Sequence, residues 1–95
     1  MTIEDLRTEL NAIISILTSS GFDNTDPKTI DKIDKVAASA GESGMKEAKH
    51  LLENLSGAIK AIQDGKSQTE SGIVRLTALD FYLRNLPDNE NIEDI

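Results

Sequence analysis

The chain carries one histidine, His50, and no cysteine. Histidine changes charge near neutral pH, so it is the first residue to test for proton transfer or phosphoryl chemistry. Its neighbours do not complete a site. His50 lies two residues past Ala48 and two before Leu52, off the apolar line of its segment, which predicts an exposed imidazole with no nucleophile or fixed carboxylate beside it. Without cysteine there is no thiolate nucleophile, no Cys-ligated zinc and no disulfide framework. No Ser-His-Asp arrangement or phosphate-cradling glycine loop can be assembled with any specificity. Carboxylates with charged neighbours at close spacing, such as Asp31 with Lys35 or Asp23 near Asp26, read as ordinary surface pairs. Metal sites in helical bundles need inward-facing Glu with Glu-x-x-His, whereas every inward line here is aliphatic. The expectation is a protein without catalytic residues, metal or cofactor.

The remaining chemistry is that of charge. Seventeen acidic residues against ten basic ones give a net charge of -7. Phosphate contacts need clustered positive charge, and no block of lysine or arginine supplies it, so nucleic acid is not an expected partner. Phe22, Phe81 and Tyr82 are the only aromatic residues, too few for base stacking. Lys28, Lys32 and Lys35 recur at i, i+4 and i+7, with Lys46 and Lys49 following. They form either a docking surface or a solvated face paired with Asp31, Asp34 and Glu47.

Four helical segments must position these groups, and strand-like alternation is absent. Ile3, Leu6, Leu10, Ile13 and Leu17 fall at spacings of three and four, with Ile14 and Ile16 widening the stripe. Thr2 with Asp5 three residues later reads as a capping box, and Gly21 as the stop, giving a helix over about residues 3 to 19. After a polar loop over 20–26, Asp26-Pro27 opens a second helix with Ile30, Ile33, Val36, Ala37 and Ala40 inward. Gly41 and Gly44 bracket a break, and Ser43 is placed to cap a third helix whose inward line is Met45, Ala48, Leu52, Leu55, Ile59 and Ile62. Leu51 and Ala58 flank that line. Asp64-Gly65-Lys66 turns the chain, and Ser67 with Glu70 resembles a second capping box. The fourth stripe reads Ile73, Leu76, Leu79, Leu83 and Leu86, and Pro87 forbids continuation. Phe81 and Tyr82 beside it leave apolar surface suited to dimerisation.

These elements specify an all-α, antiparallel four-helix bundle over residues 1–87, with an acidic, disordered tail at 88–95. The longest apolar runs fall far short of the ~20 residues that span a bilayer. The N-terminus is acidic where a signal peptide is basic. A cytoplasmic protein that does not engage membranes is expected.

The stretch Ile33-Asp34-Lys35-Val36-Ala37-Ala38-Ser39-Ala40-Gly41-Glu42-Ser43-Gly44-Met45 resembles the signature of histidine-containing phosphotransfer domains. In that family a helix carries Ala-His-x-Leu-Lys-Gly-Ser-Ala, then Gly-x-x-Gly-Ala opens the next helix. Ser39-Ala40-Gly41 match directly, Val36 stands at the leucine, and Gly44-Met45 at the Gly-Ala position. The departures fall on the chemistry. Asp34 occupies the position of the phosphoacceptor histidine, and Ala37 and Ala38 replace the lysine and glycine after it. The resemblance therefore implies a scaffold that has lost its phosphoacceptor and serves as an adaptor or inhibitor. Its implied partner is a response-regulator receiver domain or a histidine kinase, met at a patch around Asp34, Lys35, Ala38 and Lys49. Two alternatives stand beside it: a small immunity- or inhibitor-type helical protein, and phosphotransfer through His50.

Overall fold

Thr2 starts the first helix as its spacing predicts. Asp5 N–H donates to Thr2 Oγ1 at 3.0 Å, and Thr2 N–H donates to the Asp5 carboxylate at 3.1 Å. Two of the donors that any helix start leaves unsatisfied are thereby paired. From this cap α1 runs over Ile3–Ser20, one residue longer than predicted, and stops at the expected Gly21, with φ 79°. The second start also follows the sequence: Asp26 accepts from Lys28 N–H at 2.9 Å, with Pro27 as first residue of α2, Pro27–Glu42.

The computed structural model describes residues 1–86, so the tail expected at 88–95 lies outside the described residues. Two further helices, α3 (Lys46–Gln63) and α4 (Thr69–Arg84), complete an antiparallel bundle in up-down-up-down order. Each helix packs on its sequence neighbours and α4 returns to α1, which sets α4 diagonally opposite α2. Among the described residues there is no strand. One core runs through all four helices, from Leu6, Leu10 and Ile13 through Ile33 and Ala40 to Leu52, Leu55, Ile59 and Leu79, all fully buried. Full burial of such a side chain is worth ~1.5–3 kcal/mol, so this set dominates folding.

Two expected caps are not formed. Ser43 closes α2 instead of opening α3: Met45 N–H reaches Ala40 C=O at 2.8 Å and Gly44 N–H reaches Gly41 C=O at 3.1 Å, with Gly44 at φ 84°. That double bond pattern around a left-handed glycine satisfies the last carbonyls of α2. It leaves Met45 as the N-cap of α3, without a side-chain cap. Gly41 consequently lies inside α2 and breaks nothing. The same motif ends α3, where Lys66 N–H reaches Ala61 C=O and Gly65 has φ 74°. At the start of α4, Gln68 takes the N-cap position without a side-chain cap, and Ser67 Oγ pairs with Ser71 Oγ at 2.8 Å in place of the expected box with Glu70.

The fourth stripe is also corrected at its beginning. Ile73 is 51% exposed, and the core position one residue earlier is taken by Gly72. A β-carbon at Gly72 would meet Ile62 Cδ1 and the Phe22 ring at 3.0 Å, so the missing side chain admits the loop aromatic against the α4 backbone. Phe22 is held there by its own loop. Thr25, buried, donates to Gly21 and Phe22 carbonyls, and its carbonyl accepts from Gln63 Nε2 at 2.9 Å.

Candidate groove between the second and third helices

Small side chains bring α2 and α3 together: Ala37, Ala40 and Ala48 are buried along the seam. Toward the short connection 43–45 the seam opens into a groove lined by Ala38, Gly41, Glu42, Lys46, Lys49 and His50. The absent side chain at Gly41 makes room for Lys49, whose Cδ would lie 2.7 Å from a β-carbon at that position. Lys49 thus lays its methylenes along the floor while its ammonium reaches Glu53 at 3.6 Å. Long cationic side chains bury stems in this way while keeping the head hydrated.

The four residues expected to bind a partner are not all brought together. Ala38 and Lys49 share the groove. Asp34 lies one turn away from Ala38 on α2 and pairs across the seam with Lys60 at 3.5 Å, both side chains about half exposed. Lys35 belongs elsewhere. It lines a separate depression between α1 and α2 with Lys28, Asp31 and Lys32, where Lys32 pairs with Glu9 at 3.0 Å. The cause is helical geometry: adjacent residues are turned ~100° apart, so Asp34 and Lys35 face different neighbours of α2.

His50 is exposed, as its spacing predicts, yet it lines the groove that holds Ala38 and Lys49. Sequence reasoning missed this company, and Gly41 and Glu42 with it, though it named Lys46 with Lys49 as a candidate docking surface. The signal was the connection itself. Three residues between antiparallel helices place Ala38, six before Gly44, opposite His50, six after it. The groove offers a cationic wall of Lys46 and Lys49 with the His50 imidazole beside it, an acidic margin at Glu42, and a floor of Ala38 and Gly41 crossed by the Lys49 stem. Such a surface suits a protein contact, since short side chains admit a partner's backbone or helix. Among the described residues no group of three His, Asp or Glu side chains is arranged to hold a metal ion, and no helix is long and apolar enough to cross a membrane.

In comparison with known proteins the chain matches no family model, no curated protein and no solved structure.

Proposed function

We propose that the chain is a non-catalytic protein-binding module, an adaptor or inhibitor that presents the α2–α3 groove to a partner protein. One observation carries the reading: at Ala38 and Gly41 the α2 surface is reduced to a methyl and backbone, and the nearest cover over Gly41 is the flexible stem of Lys49, which a partner can displace. Surface helices more often cover such stretches with long side chains; here, with that stem displaced, a partner helix can approach closely, and Lys46, Lys49 and His50 can meet acidic groups on it. The resemblance to phosphotransfer domains supplies the partner class, a receiver domain or a histidine kinase. A receiver's acidic phosphorylation pocket is complementary to that cationic wall.

Calorimetric titration against a panel of receiver and histidine-kinase domains tests this. Binding by at least one member, lost in Ala38→Glu and kept in Lys35→Ala, supports it. Binding unaffected by Ala38→Glu, or absent from the whole panel, removes it and leaves an inhibitor of some other enzyme or toxin as the alternative.

The position of His50 favours a second reading, phosphotransfer from a receiver's aspartyl phosphate to the imidazole. The imidazole nitrogen attacks phosphorus and the aspartate carboxylate leaves. Acid-labile label that appears on the wild-type chain and not on His50→Ala would establish it; an unlabelled wild type would reject it.

A further inference from the structure

The outward surface of α4 carries three large apolar side chains where an exposed helix is normally polar. Ile73 is 51%, Val74 60% and Phe81 69% exposed, three of the five large apolar residues that the bundle leaves in solvent among the described residues. Successive residues in a helix are ~100° apart, so Glu70, Ile73, Thr77, Phe81 and Arg84 share one face, turned away from buried Leu79 and Leu83. A helix apolar on both its inner and outer sides is ordinarily covered on both.

The order of residues on this face identifies the cover. About Thr77 it is self-complementary: four residues either side stand Ile73 and Phe81, and seven either side stand Glu70 and Arg84. We propose that α4 packs antiparallel against α4 of a second copy of this chain, with the two-fold axis at Thr77. Ile73 of each copy then meets Phe81 of the other, and Glu70 of each meets Arg84 of the other, the apolar pairs lying inside and the ion pairs at both ends. An isologous contact of this kind closes on itself and stops at a dimer. Arg84 already holds Asp80 at 2.9 Å, and a guanidinium with five donors accommodates a second carboxylate. The small, hydroxyl-bearing Thr77 at the axis permits close approach. A parallel arrangement has no such match, since it sets Glu70 against Glu70 and Arg84 against Arg84.

Because α4 is diagonal to α2, the contact leaves the α2–α3 groove of each copy open. The pairing does not depend on what that groove binds.

Sedimentation equilibrium of the full chain tests the contact. Wild type is expected to rise with concentration from 10.3 kDa toward twice that mass. Phe81→Glu is expected to weaken association at least about tenfold. Its helical circular dichroism should stay unchanged, because position 81 supports nothing in the core. Glu70→Arg, which sets a second guanidinium against Arg84 of the other copy, should weaken association, and Glu70→Arg with Arg84→Glu should restore it. Three results would each overturn the proposal: a wild-type monomer up to about millimolar concentration, where even weak helical dimers associate; a dimer indifferent to Phe81→Glu; or a double exchange no better than Glu70→Arg alone.

Discussion

Lys49 lies across Gly41, so close that a β-carbon at position 41 would sit 2.7 Å from Lys49 Cδ. The contact joins α2 to α3 in the floor of the proposed partner surface. Only the methylenes of a flexible, half-exposed side chain stand in the way of a larger residue. Gly41→Ala is therefore expected to leave stability unchanged or raise it by up to about 1 kcal/mol, the helix-propensity gain over glycine, as Lys49 swings aside. Thermal unfolding measures this. A loss of more than that amount would mean that Lys49 cannot move.

Two other helical glycines separate propensity from packing. Gly57 is exposed with nothing within 4 Å of an added β-carbon, so Gly57→Ala should stabilise by about 0.5–1 kcal/mol. Gly72 faces the Phe22 ring and Ile62 at 3.0 Å, and Gly72→Leu should destabilise by about 1–3 kcal/mol by forcing the loop aromatic out. Denaturant midpoints that move the same way for both would contradict the proposed docking of Phe22.

Ser56 is 2% exposed on the α3 seam and its hydroxyl has no hydrogen-bond partner among the described residues. An unsatisfied buried hydroxyl costs about 1–3 kcal/mol, so Ser56→Ala, which removes the oxygen and nearly keeps the shape, should be neutral or stabilising. A clear destabilisation in urea would show that the hydroxyl is satisfied in solution.

The first cap makes a pH prediction. The Thr2 backbone N–H, and then the Thr2 hydroxyl, hold the Asp5 carboxyl below its ordinary 3.8. A folded value below the unfolded one means that the stabilisation is present above the unfolded value and is lost as pH falls through the folded one. The Tm gap between wild type and Asp5→Asn should be widest near neutral pH and close in acid below that range. A gap independent of pH would mean that the carboxylate charge plays no part in the cap.

The bundle was legible because apolar residues recur at helical spacing, and the Thr2–Asp5 box and Asp26-Pro27 sit where backbone donors need partners. The misread positions have local causes. Ser43 and Ser67 have the composition of N-caps, but a left-handed glycine bond pattern claimed the first and a hydroxyl pair with Ser71 the second. Gly72 carries no apolar signal, so helical spacing alone puts Ile73 in its place in the core, while Phe81 lies outside the stripe as the spacing predicts. Within the candidate site, the resemblance to phosphotransfer domains groups Lys35 with Asp34, whereas in the fold Lys35 faces α1 and His50 joins Ala38 through the turn at 43–45. Linear spacing orders one helix well and says little about which faces of two helices meet.

The α2–α3 groove is the centre of the functional account, and backbone amide shifts of the labelled chain during titration with a receiver-domain panel test it most directly. The account predicts shifts concentrated at Asp34, Ala38, Gly41, Lys49 and His50, with α4 silent at constant protein concentration. Shifts confined to α1 or α4, or a saturated complex that leaves those five amides unmoved, would contradict it.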